Sequence, residues 1–222
     1  EICACLVGSE MCIRDRENAL AAERLGVDGL LIVTPYYNKA TQQGLLRHYK
    51  VIADSVGIPI ILYNVPSRTG VNIQPETYAE LAQHPNIAAI KEANSDISKI
   101  VETFALVGDQ LDIYSGNDDQ IVPILSMGGQ GCISVLSNVV PRETVAITDQ
   151  FFAGNVAEAA RLQCQFMPLI RSLFCESNPI PVKAAMSALG FCENYLRLPL
   201  VPMEQDHYET MLQRMRALGL SV

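Results

Sequence analysis

The chain has 222 residues, 49% of them hydrophobic, and a formal net charge of −8. That length supports one sizeable core, alone or with a helical appendage. The acidic balance and the absence of any Lys/Arg run exclude a general nucleic-acid binder, and no stretch approaches the roughly 20 apolar residues of a membrane span.

Residues 1–16 show no clear helical or alternating period. The string Leu6 to Arg16 resembles translated sequencing-adapter read-through, so 1–16 is expected to be a non-native scar outside the fold. The alternative is a genuine N-terminal segment with unusual cysteines, since Cys3, Cys5 and Cys12 crowd into it. Ile2 to Val7 is too short and too poor in flanking positive charge for a signal peptide, which points to a cytoplasmic protein. Cys132, Cys164, Cys175 and Cys192 are isolated, without paired metal-ligand spacing, and read as small buried hydrophobes.

From Glu17 a regular alternation begins. A helix at Glu17 to Gly26 leads to a strand at Gly29 to Pro35, a helix at Thr41 to Val56 and a strand at Pro59 to Asn64. A helix at Pro75 to Gln83 precedes the strand Ile87 to Ala93. Then follow a helix at Asp96 to Val107, a strand at Leu111 to Ser115, a helix at Asp119 to Met127 and a strand at Gly131 to Val135. Five short, nearly all-apolar strands alternating with helices predict a parallel sheet covered by helices. Either a doubly wound sheet or a (β/α)8 barrel fits this order. Gly128-Gly129-Gln130-Gly131 lies between a helix and the next strand, the wrong side for cradling a phosphate, and reads as a tight turn. Polar residues instead follow strand ends: Tyr36 and Tyr37, Tyr63 and Arg68, Lys91, Gly116 and Asn117, then Ser134. In a barrel such ends converge on one mouth. Beyond Val135 the pattern is helical, at Glu143 to Phe152, Val156 to Phe174, Val182 to Leu189 and Glu204 to Leu218. The expected organisation is a partial barrel over 17–154 and a C-terminal helical region over 155–222.

Among the five lysines, Lys91 alone ends an apolar strand. Desolvation favours the neutral, attacking form of an amine, so Lys91 is the candidate nucleophile; a snorkelling or ion-paired lysine is the plainer alternative. Tyr63 leaves its strand as a phenol able to relay protons, and Arg68, beyond the turn at Pro66, can clamp a carboxylate bidentately. Amine, phenol and guanidinium together make a Schiff-base site.

At these residues the sequence resembles the dihydrodipicolinate synthase family, within the pyruvate-dependent class I aldolase superfamily that also contains N-acetylneuraminate lyase. The matching stretches are Val27 to Asn38, Tyr63 to Gly70, Ile90-Lys91-Glu92-Ala93, Ser115 to Asp119, Gly131 to Val135 and Asn178 to Lys183. The resemblance implies a (β/α)8 TIM barrel with a C-terminal helical extension. It implies condensation of pyruvate with aspartate 4-semialdehyde, in lysine and diaminopimelate biosynthesis. Lys91 would form the imine, Tyr63 would relay protons and Arg68 would bind the aldehyde substrate's carboxylate. Tyr37 would reach into a neighbouring subunit's site, and the backbone of Gly116 and Ile133 would line the pyruvate pocket. Lys183 is read as structural. No metal or organic cofactor is implied, and the family's usual assembly is a dimer of dimers. A related pyruvate aldolase acting on N-acetylneuraminate or keto-deoxy sugars, or a non-catalytic fragment, are the alternatives.

The family's leading strands, with a Gly-Thr-Thr-Gly-Glu-type loop and the relay threonine, have no counterpart in residues 1–16. Five of eight strands, a bare inner edge on the Gly29 to Pro35 strand and an inactive chain are the resulting expectations.

Overall fold

The computed structural model describes residues 2–5 and 11–222, with side chains from Arg14 onward. Residues 1 and 6–10 of the segment read as a scar lie outside the described residues. The chain divides into two compact units, 1–117 with 123–133, and 118–122 with 134–222.

The first unit is built on a parallel sheet. Its elements run β1 (Ile2–Cys5), α1 (Met11–Arg24), β2 (Gly29–Val33), α2 (Gln42–Ala53), β3 (Ile60–Asn64), α3 (Pro66–Thr69), α4 (Pro75–Leu81), β4 (Ile87–Glu92), α5 (Ile97–Val107), β5 (Asp112–Ser115), α6 (Ile121–Ser126) and β6 (Gly131–Cys132). The strands pair in sequence order, every pair parallel. Parallel strands need a crossover, and the intervening helices supply it.

The described sheet therefore has six strands, not the five expected. Ile2 pairs with Gly29 and Cys5 with Ile32, so the β2 edge expected to be bare is covered by β1. The helix expected from Glu17 likewise starts earlier, at Met11, because no Gly or Pro interrupts Met11 to Arg24.

Burial along the strands separates two faces. In β3, Ile60, Leu62 and Asn64 are buried while Ile61 and Tyr63 are half-buried. Leu30, Ile32, Ile60, Leu62, Ile90 and Ile113 join a core with Leu45, Tyr49 and Ile52 of α2, Tyr78 and Leu81 of α4 and Val107 of α5. Each such Leu or Ile contributes roughly 1.5–3 kcal/mol by leaving water. The opposite face carries the row Val33, Tyr63, Lys91 and Tyr114, aligned by strand register.

The second unit contains α7 (Pro141–Phe152), α8 (Val156–Leu173), α9 (Ile180–Ala188) and α10 (Gln205–Ala217). Their apolar faces form a core with Leu136, Phe166, Leu169, Leu173, Met211 and Met215. Pro168 lies inside α8, and its carbonyl accepts from Arg214 Nη1 at 2.9 Å. The buried Asp118 carboxylate accepts the amide N–H groups of Val135 and Leu136, which ties residue 118 to the chain that follows β6. Among the described residues no helix is long and apolar enough to cross a membrane.

Candidate active site

Strand register assembles the site. Tyr63 and Lys91 are direct neighbours across β3 and β4, and Tyr114 continues the row on β5. Side chains at one register position of a parallel sheet share a face. Lys91 Nζ accordingly sits 4.2 Å from the centre of the Tyr63 ring, within cation–π reach. Both residues are half-buried. Burial raises the Tyr63 phenol above its usual range and the Arg68 charge opposes that rise, so Arg68 acts electrostatically on the phenol.

Arg68 lies on α3, a four-residue helix where a turn on Pro66 and Gly70 is expected from sequence. Pro66 starts it with φ already suited to a helix, and Gly70 ends it in the left-handed region at φ 65°. The Thr69 hydroxyl donates to the carbonyl of Val65 or Val71 and accepts from Val71 N–H, which fixes the loop while Arg68 stays exposed.

Gly116 follows β5 and donates its N–H to the Glu92 carbonyl at 2.7 Å. A Cβ at this position would stand 2.9 Å from Ala93 Cβ and 3.1 Å from Lys91 Cγ. Gly116 is therefore the floor against which the lysine stem packs. Ile133 donates its N–H to the Ser115 carbonyl at 2.8 Å, continuing the β5–β6 pairing beyond the strand. Tyr37 stands 80% exposed in the turn after β2, and Tyr36 beside it is 40% exposed. Lys183 donates to the Tyr195 carbonyl at 2.7 Å, a contact within the second unit that fits its structural reading.

Glu92 follows Lys91 in the Ile90-Lys91-Glu92-Ala93 stretch, and the resemblance implies no task for it. Its side chain points away from Lys91, to the helix-covered face, and is 2% exposed. Its Oε1 accepts from Asn64 Nδ2 at 2.9 Å and from Asn94 N–H at 2.8 Å, and its Oε2 accepts from Tyr78 OH at 3.1 Å. Asn64 Nδ2 also donates to Asn72 Oδ1, and Asn64 Oδ1 accepts Ile73 N–H. Burial raises the Glu92 carboxyl to about 7 against these hydrogen bonds, which act in the opposite direction. An acid in an otherwise apolar strand was the available signal, because a buried carboxylate demands partners.

Cys175 is exposed and, contrary to its reading as a buried and isolated thiol, comes together with Glu176 and His207, their ligand atoms within 4.8 Å of one another. Sequence spacing cannot show this, because His207 arrives from α10. Glu176 Oε1 accepts Glu204 N–H at the start of α10 and lies 2.8 Å from His207 Nδ1. Capping and ion pairing account for its placement. Cys164 and Cys192 are exposed as well and Cys132 is half-buried, so none of the four is fully buried as expected.

The profile of the Dihydrodipicolinate synthetase family matches residues 7–218. The 4-hydroxy-tetrahydrodipicolinate synthase of Caldicellulosiruptor bescii is 54% identical over 201 residues, covering 90% of this chain and 68% of that protein. The crystal structure of dihydrodipicolinate synthase from Thermotoga maritima superposes with a TM-score of 0.95 at 43% identity, over 99% of this chain and 75% of that one. A structure described as the first monomeric dihydrodipicolinate synthase variant gives the same TM-score and identity, over 99% of this chain and 74% of that one. These relatives match the partial (β/α)8 architecture, and the chain belongs to the dihydrodipicolinate synthetase family, lyases of the class I aldolase type.

Proposed function

We propose that Lys91 forms an imine with pyruvate and that the imine condenses with aspartate 4-semialdehyde, the reaction that membership of the dihydrodipicolinate synthetase family implies. The observation that carries this reading is Lys91 Nζ held against the Tyr63 ring, with Gly116 closing the floor beneath its stem. The amine attacks the keto carbon, a C–N bond forms and water leaves. The protonated imine then accepts the electron pair released when the pyruvate methyl loses a proton, and the resulting enamine carbon attacks the aldehyde. Tyr63 relays the protons, and Arg68 pairs with the carboxylate of the aldehyde substrate. Gly116 and Ile133 line the pyruvate pocket with backbone. The scheme calls for no metal, because the imine is the electron sink.

In the same reading the protein works in lysine and diaminopimelate biosynthesis in the cytoplasm, and it self-associates so that Tyr37 completes a neighbour's proton relay. The Lys91 pocket is built from β3, β4 and β5, so pyruvate trapping on Lys91 is expected.

Borohydride reduction in the presence of pyruvate, followed by peptide mapping, tests the reading. Label on the Lys91 peptide supports it. Label elsewhere removes the mechanism, and no label at all favours a non-catalytic role.

A further inference from the structure

We propose that Glu92 is the positioning residue for Lys91, its ionised carboxylate holding the ends of β3 and β4 together from the helix-covered face. This rests on the Schiff-base reading of Lys91 and deepens it.

Two other segments and the turn after β4 converge on this one carboxylate. Asn64 ends β3 directly after Tyr63, Tyr78 comes from α4, and Asn94 lies two residues beyond Glu92 itself. Tyr63 and Lys91, whose side chains meet on the opposite face, are thus followed in their strands by Asn64 and Glu92, which face each other across β3 and β4 and are bonded directly. Asn72 extends the network, accepting from both Asn64 and Asn94. Ile73 N–H on Asn64 Oδ1 fixes which way that amide faces. A shift of either strand end would have to break hydrogen bonds in a buried site, where an unpartnered group is costly.

Charge matters because every protein group bonded to the carboxylate is a donor. Protonation places a hydrogen on an acceptor oxygen and forces one of those bonds to reverse or break. Tyr78 OH is the partner that can turn round and accept; the Asn94 amide cannot. The titratable groups nearest on packed elements are Tyr78 of α4, with Tyr49 of α2 behind it, both fully buried phenols held above their usual range. Lys91 lies on the other face of its strand. Burial places the Glu92 transition near neutrality, so the clamp changes state in a range that experiment reaches easily.

The test is the pH dependence of pyruvate trapping rate on the full chain, with Glu92→Gln and Tyr78→Phe as variants and thermal unfolding followed alongside. The unmodified chain should show a step of roughly tenfold near pH 7, superimposed on the rise set by the amine, since small misplacements of a reacting group carry penalties of that order or larger. Glu92→Gln should remove the step and leave the slow rate at all pH values. Tyr78→Phe deletes one donor to the carboxylate and should move the step upward by about one pH unit while the fast rate is retained at high pH. It also keeps the test decisive where Glu92→Gln fails to fold. A residue that merely stabilised the protein would shift unfolding and leave the shape of the profile alone. Trapping on Lys91 with one profile shared by all foldable variants overturns the positioning role and leaves the Schiff-base reading intact. No trapping by the unmodified chain overturns both.

Discussion

Gly116 is the position where a single added carbon should have the largest local effect. An alanine Cβ there meets Ala93 Cβ and the Lys91 stem at or inside contact distance, and backbone hydrogen bonding fixes Gly116 in place. Gly116→Ala is expected to cost about 1–3 kcal/mol by overpacking and to slow pyruvate trapping on Lys91 at least about tenfold. Unfolding curves and trapping rates on the same sample check both, and unchanged trapping would mean that the stem does not pack as described. At Arg68 the expectation is different, because the guanidinium is exposed on α3 rather than packed beneath the amine. Arg68→Ala should leave pyruvate trapping intact and weaken binding of aspartate semialdehyde to the pyruvate-loaded protein roughly tenfold to a hundredfold, the worth of a charge-assisted hydrogen bond. Loss of trapping with unchanged aldehyde affinity would assign Arg68 to the other substrate. Glu92 carries a stability signature with a definite sign. Its folded-state carboxyl lies near 7 against an ordinary value of 4.5, so between these values the folded protein holds a proton that the unfolded chain releases. Stability should therefore fall as pH rises from about 4.5 to 7, by on the order of 3 kcal/mol at most, and level off above. Urea unfolding at pH 5 and pH 8 measures it, and Glu92→Gln should flatten the difference.

Strand β4 shows what one sequence element does and does not disclose. Its apolar run announces a covered parallel strand, and the lysine at its end stands out because nothing else in the run is polar until Glu92. Register with Tyr63 was not legible, since a one-residue slip in pairing would send either side chain to the other face. Nor was the partner set of Glu92, which comes from α4 and two loops. Helix ends were easier to anticipate. Asp96 precedes α5, and its carboxylate accepts the N–H groups of Ser98 and Lys99. Asp96→Ala should cost about 1 kcal/mol in chemical unfolding, the usual worth of such a cap. The opening elements were missed for a physical reason. Ile2–Cys5 is too short to show a period, and α1 opens on Met11-Cys12-Ile13 followed by Arg14-Asp15-Arg16, a block of apolar then charged residues without helical spacing. Cys175 and His207 met through tertiary packing, which spacing along the chain does not encode.

At the scale of the whole molecule, alternation of strand and helix was enough to anticipate the parallel sheet, and the family profile covers residues 7–218. Association is the property that the fold leaves to experiment, since one similar structure is described as a monomeric variant. Tyr37 offers an 80% exposed ring in the turn after β2, and the proposed relay needs that ring in a second subunit. The unmodified chain is therefore expected to sediment as a dimer or larger species at micromolar concentration, and Tyr37→Arg to shift it toward monomer. A monomeric unmodified chain would remove the reason for assigning Tyr37 a task. The central claim is covalent, and one measurement addresses it most directly: intact mass and peptide mapping after borohydride reduction with pyruvate. The account predicts one reduced pyruvate adduct per chain, located on Lys91 and absent from Lys91→Ala; an adduct on another lysine, or none, would contradict it.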